Sequence, residues 1–296
     1  MTPTPVRSPA PFKPLRGVRV LSLALNIPGP AALMRLHALG ARCSKIEPPS
    51  GDPLAIYKPD AYAALHQGVK VFSADLRTET GQQAAHRALA RSDLLLTSFR
   101  PSALRKLGMD WPTLRRRHPH LCQIDIVGAT GARAEEPGHD LTYLAEHGLV
   151  TGMDLPPTLF ADMGGSLMAV EAALAALLWQ RSKGKGRHLQ VALGEAAAYL
   201  GLPRQWGLTR PDGAVGGAHA GYRIYACKDG RVALAALEPH FARSLCQAAG
   251  ITEVDHRTMM QPQTQQTIAA FLARQTRQGL DALALAQDIP LFTLAP

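Results

Sequence analysis

Val18-Arg19-Val20-Leu21-Ser22-Leu23, then Asn26-Ile27-Pro28-Gly29-Pro30, then Cys43-Ser44-Lys45-Ile46-Glu47 is the stretch that decides the fold. The first piece alternates as a short strand does. The two prolines and Gly29 fix the backbone ahead of a helix over residues 31–39, and Gly40 ends it. The third piece reads as the next strand. Strand, helix and strand in that order make a βαβ unit, which requires parallel pairing and a right-handed crossover. The pattern continues outward, with strands expected at residues 69–75, 93–97 and 121–127. Helices are expected at 79–90, 104–107 and 111–117. The fold class is therefore α/β, an open, doubly wound, Rossmann-like parallel sheet whose ligands bind beyond the carboxyl ends of the strands. No G-x-G-x-x-G follows the first strand, so the dinucleotide fingerprint is absent. Gly128-Ala129-Thr130-Gly131 is as consistent with a plain turn as with an anion cradle.

Composition divides the chain further. Residues 1–13 are Pro-rich and read as a flexible arm, and residues 14–209 form the large domain. Within it a helix is expected at 166–181, after the Gly164-Gly165 pair, then a strand at 189–193 and a helix at 195–200. Residues 210–218, rich in Gly, read as a linker. Residues 219–296 form a second, smaller α+β domain, with a hairpin turning at Lys228-Asp229-Gly230, three helices and a terminal strand.

The 296 residues carry 32 Lys and Arg against 23 Asp and Glu, a formal charge of +9, which favours an anionic partner. The basic residues are scattered, and the cluster Arg115-Arg116-Arg117 reads as a solvated helix face, so a nucleic-acid partner is not expected. Four cysteines lie far apart without metal-like spacing and read as buried free thiols; no metal is expected. The longest apolar run, 167–179, is shorter than a membrane span and contains Glu171. A cytoplasmic protein with no membrane partner is the expectation.

Chemistry concentrates between Gly138 and Gly165. His139 opens this segment and Asp162 nears its end, two groups able to move a proton near neutral pH. Asp162, placed just ahead of the expected helix start, would lie among unpaired backbone N–H groups.

Several segments together carry a resemblance: Leu15-Arg16-Gly17-Val18, Lys45-Ile46-Glu47-Pro48-Pro49, Ala74-Asp75-Leu76, Phe99-Arg100-Pro101, Gly138-His139-Asp140, Ala161-Asp162-Met163-Gly164-Gly165 and Leu237-Glu238-Pro239. In this order and spacing the chain resembles the class III CoA-transferases, the CaiB/BaiF family, over residues 15–296. Within that family it looks most like the α-methylacyl-CoA racemases, because transferases usually carry an aromatic residue at the place of His139. The resemblance implies a catalytic set of His139, Asp162 and Glu238, the last orienting the imidazole. Backbone amides at Asp162, Met163 and Gly164 would meet an enolate oxygen. Arg100 is implied near the CoA phosphates, with Lys45, Lys70, Asp140 and Tyr143 as further CoA-binding candidates. Coenzyme A enters as part of the acyl-CoA substrate, no cofactor is permanently bound, and a homodimer is implied. Against the family pattern, the loop over residues 151–159 is short and the small domain lacks the usual C-terminal return segment.

The expected function is racemisation of the α-carbon of a 2-methylacyl-CoA by two-base proton transfer through an enolate. Two alternatives stay open. One is a CoA-transferase in which Asp162 is the nucleophile; the other is a catalytically degenerate CoA-binding homologue.

Overall fold

Alternation within single strands sends side chains to both faces of one sheet. The computed structural model of the chain describes residues 12–296, so the expected arm lies, except for its last two residues, outside the described residues. A first compact unit extends through Gly201 and a second runs from Leu202 to Pro296. The first unit begins β1 (Arg19–Ser22), α1 (Pro28–Ala38), β2 (Arg42–Glu47), α2 (Pro53–Tyr57), α3 (Pro59–Leu65), β3 (Lys70–Ser73) and α4 (Glu79–Leu89). It continues β4 (Leu94–Thr97), α5 (Pro101–Lys106), α6 (Trp111–Arg117), β5 (Cys122–Val127), α7 (Asp140–Glu146), α8 (Phe160–Lys183), β6 (His188–Ala192) and α9 (Leu193–Leu200).

The six strands pair parallel in the order β3-β2-β1-β4-β5-β6. Val20, Leu94, Leu96 and Ile124 face one core, with Leu33 and Leu36 of α1 and Ala169, Ala173 and Leu177 of α8. Leu21, Leu95 and Ile46 face a second core, with Leu89, Leu104 and Leu114 from α4, α5 and α6. Helices cover both faces, which is why β4 and β5 are buried along their whole length. The expected doubly wound α/β fold is the one observed.

Three expectations change. The long helix starts at Phe160 rather than residue 166, so Asp162 lies inside its first turn and not before it. At 24 residues α8 is also long and apolar enough for a membrane span by length and composition, contrary to the shorter run expected. Its buried stripe packs on β5 and α1, the position of a core helix. Finally, the units divide after Gly201, and residues 210–218 belong to the second unit. Gln265 Nε2 donates to the Ala218 carbonyl at 2.6 Å, and Arg223 Nη1 donates to that of Gly217, so this Gly-rich segment is tied down locally.

The second unit contains α10 (Leu202–Gln205), β7 (Tyr222–Cys227), β8 (Gly230–Ala235), α11 (Pro239–Ala248), α12 (His256–Met259), α13 (Pro262–Leu272), α14 (Arg277–Gln287) and β9 (Leu291–Leu294). β7, β8 and β9 form an antiparallel sheet; the expected terminal strand is its third member. Tyr225, Val232 and Leu234 turn inward onto Leu245, Ile268 and Leu280 of the helices. Cys43, Cys122 and Cys246 are buried free thiols as expected, whereas Cys227 is half-buried.

Candidate active site

The strand order reverses between β1 and β4, the place where doubly wound sheets bind ligands. The loops leaving these two strands are joined there: Leu23 N–H donates to the Leu96 carbonyl at 2.8 Å and Leu25 N–H to Ser98 Oγ at 3.2 Å. Between them, the end of β5 and the starts of α7 and α8 lies a cavity of about 550 Å³, within the usual size of small-molecule sites. Arg100, His139, Asp140, Tyr143 and Asp162 all line it.

His139 is the residue preceding α7 and is exposed. Its backbone is pinned by a reciprocal pair, His139 N–H to Thr142 Oγ1 at 3.0 Å and Thr142 Oγ1 to the His139 carbonyl at 2.7 Å. This closes the first turn of a short helix and leaves the imidazole outside that exchange.

Asp162 is the third residue of α8. Burial pushes its carboxyl up to about 6, the negative charge of Asp140 adds to the rise, and His139 pulls it down. That brings Asp162 to a value at which a carboxyl both gives and takes a proton near neutrality. Asp140 itself is buried, and its Oδ1 accepts the backbone N–H of Asp162 at 3.0 Å. It therefore anchors the helix start while also lining the cavity. Tyr143 packs its ring against Gly138; a Cβ there would lie 2.6 Å from its Cε1, so glycine is what lets the aromatic ring approach. Burial and then the Asp162 charge raise the Tyr143 hydroxyl above its ordinary range.

The amide cradle expected at Asp162, Met163 and Gly164 is not available as drawn. Asp162 N–H is used by Asp140, and Met163 N–H donates to the Leu159 carbonyl at 3.0 Å. Gly164, lying deeper in α8, is beyond the first three helical positions, where amides lack an i−4 partner. The cause is the earlier helix start.

Two CoA-binding expectations are also corrected. Lys45 is fully buried, with Nζ 3.0 Å from Glu47 Oε1, 3.0 Å from His66 Nε2 and paired to Asp52. A buried ammonium needs such partners, and its charge is spent on them. Glu47, Asp52 and His66 are close enough to hold a metal, but the Lys45 ammonium already lies among them. Lys70 is the first residue of β3 and lines a separate cavity at the opposite, amino-terminal edge of the sheet. Arg100 does line the active-site cavity. Glu238 belongs to the second unit, where it is exposed and directly precedes Pro239, the first residue of α11.

Asn26 was missed as a site residue. Its φ of +63° is in the left-handed region, and its N–H donates to both Asp52 carboxylate oxygens at 3.1 and 3.2 Å while the residue lines the cavity. An Asn ahead of Ile-Pro-Gly-Pro was the available signal, since Asn tolerates this conformation. The Gly128-Ala129-Thr130 segment borders both this cavity and a neighbouring one, where Arg133 is held by Glu136 at 2.8 Å and Glu146 at 2.7 Å.

The chain is 34% identical over 212 residues to a probable fatty acyl-CoA transferase of Mycobacterium tuberculosis, covering 64% of this chain and 53% of that protein. It is 28% identical over 285 residues to human alpha-methylacyl-CoA racemase, covering 89% of this chain and 73% of the human protein. The chain thus spans about half the length of the first relative and about three quarters of the second. A crystal structure of a hypothetical protein from Mycobacterium tuberculosis superposes with a TM-score of 0.83 at 27% identity, covering 97% of this chain and 86% of that one. The sequence model described as CoA-transferase family III matches residues 15–295, and the chain belongs to that family.

Proposed function

We propose that this chain carries the proton-transfer site of an enzyme that inverts the α-carbon of a 2-methylacyl-CoA. One observation carries the reading: His139 and Asp162 line the same cavity at the switch point, and Asp162 is raised to about 6. Inversion needs two groups with different proton affinities, one on each side of the reacting carbon. In one direction the Asp162 carboxylate takes the α-proton, the C–H electrons move into the thioester as an enolate, and protonated His139 returns a proton to the opposite face. In the other direction the roles exchange. The positive end of the 24-residue α8 lies by Asp162 and favours the developing negative charge. Arg100 would meet a CoA phosphate from the same cavity wall. A role for Glu238 rests on the family resemblance alone.

Incubating the protein with a chiral 2-methylacyl-CoA in deuterated water tests this. Deuterium should enter at the α-carbon and the enantiomers should interconvert. Folded protein that exchanges no α-proton with any of a panel of acyl-CoAs overturns the reading.

CoA transfer is the second reading, favoured by the transferase named among the relatives at 34% identity. Here the Asp162 carboxylate attacks the thioester carbonyl and expels CoA thiolate, giving an acyl-aspartyl anhydride. The thiolate then attacks the Asp162 carbonyl, leaving an aspartyl-CoA thioester and releasing the acyl group as its carboxylate. Hydroxylamine trapping located at Asp162, without α-proton exchange, decides for transfer.

A further inference from the structure

Lys70 leads to a second cavity that the proton-transfer site does not use. It opens at the amino-terminal edge of the six-stranded sheet, has a volume of about 740 Å³, and is lined by Lys13, Arg19, Arg42, Lys70 and Arg91 together with Phe72. The strand register explains the gathering. Arg19 begins β1 and pairs with Arg42, which begins β2, and Lys70 begins β3 opposite Ser44. Arg91 follows the end of α4, just ahead of β4. Parallel pairing brings all the strand starts to one edge, while the active-site cavity lies beyond the strand ends. Four residues of β1 or β4 span roughly 13 Å, so the two cavities open on opposite edges of the sheet.

The five cations are exposed, and none of them is in an ion pair among the described residues. The nearby Asp93 carboxylate is committed to the backbone N–H of Arg19 at 2.8 Å. Cations do gather at this edge of α/β sheets because helix carboxyl ends point there, each with about half a negative charge. The ends of α1 and α4 border this cavity, and with Asp93 they supply about −2 in all, against five full positive charges. A concave surface with that excess concentrates anions. Phe72 adds an aromatic ring, 54% exposed, two residues along β3 from Lys70 and on the same face. Cations arranged around a cavity, with an exposed aromatic beside them, match a ligand with several phosphates at one end and a flat ring at the other. The cavity volume is in the small-molecule range.

The geometry points to a second binding site for a nucleoside triphosphate, with the phosphates among Arg19, Arg42, Lys70 and Arg91 and the base on Phe72. It is independent of the reaction assigned to His139 and Asp162. Isothermal titration calorimetry on the full chain, with ATP and separately with tripolyphosphate, tests it at low salt and in the presence of saturating CoA. ATP should bind alongside CoA, more tightly than tripolyphosphate, and more weakly as salt rises. Arg42→Ser with Lys70→Ser should weaken both ligands by at least about tenfold, the loss of charge-assisted contacts. Phe72→Ser should weaken ATP severalfold and leave tripolyphosphate unchanged. Lys70→Gln alone, on an exposed edge strand, serves if the double variant melts early. No ATP binding, displacement by CoA, or unchanged affinity in these variants overturns the site; equal affinity for ATP and tripolyphosphate overturns the nucleotide assignment.

Discussion

Asp140 Oδ1 accepts the backbone N–H of Asp162 at 3.0 Å, so the buried acid of one helix start fixes the other and charges its surroundings. Two effects of one carboxylate can be separated by substitution. Asp140→Asn keeps an acceptor for the Asp162 amide and removes the negative charge. The Asp162 carboxyl should then fall below about 6, and the acidic limb of the pH–rate profile should move to lower pH. Asp140→Ala removes the acceptor as well and should cost about 1–3 kcal/mol of stability. A profile unmoved by Asp140→Asn would show that Asp140 does not act on the Asp162 charge.

Asp162 should weaken the fold it serves. Its folded value near 6 lies above the ordinary carboxyl value of 3.8. Between those values the native state holds more protons than the unfolded state, so stability falls as pH rises from about 4 to about 6 and the penalty is complete above that. Asp162→Asn should raise stability at pH 7.5 by about 1–3 kcal/mol, keeping the amide anchored while abolishing turnover. Below pH 4 the gain should vanish. Thermal melts of both proteins across this range measure it, and a gain that persists at low pH would point to another cause.

His139→Gln should lower α-proton exchange by about 10²–10⁴-fold, the span for a lost general acid or base. Because His139 holds the Asp162 carboxyl down, the same substitution should also move it above 6. Exchange rates measured against pH report both changes. If transfer is the reaction, hydroxylamine trapping at Asp162 should survive the substitution.

Lys45→Met should destabilise strongly and leave no simple CoA-binding defect. It strands the Glu47 and Asp52 carboxylates in the interior, a loss of about 3–5 kcal/mol by the behaviour of broken buried ion pairs. Denaturant unfolding reads it directly. Arg100→Ala should do the reverse, weakening CoA with little change in the unfolding midpoint, since Arg100 is exposed at the cavity rim.

Much of the sheet was legible because local periodicity and global topology agree. Each strand from β1 to β6 alternates or runs apolar, and Gly40 punctuates the chain after α1. The short helices α2, α3 and α7 were not legible. α2 and α7 depend on bonds to Asp52 and Thr142 that composition does not announce. The start of α8 was misread because Gly164-Gly165 looks like a boundary. Gly165 instead lies inside the helix, where an added Cβ would press on Leu193 Cδ2, a contact visible only once α9 is packed against α8.

By itself the sequence determined the doubly wound class and the family, since these follow from strand order, spacing and residue type, and it singled out His139 and Asp162 as the pair to test. Only the tertiary structure decided which charges are free. Lys45 and Lys70 lie on adjacent strands, yet one is enclosed by carboxylates and the other stands at the opposite edge from the active-site cavity. The same holds for Asp162, whose carboxyl reaches about 6 because burial and Asp140 surround it, and both depend on how α7 and α8 meet. A residue's chemistry is written in its type, but its solvation and its neighbours exist only after the chain has packed.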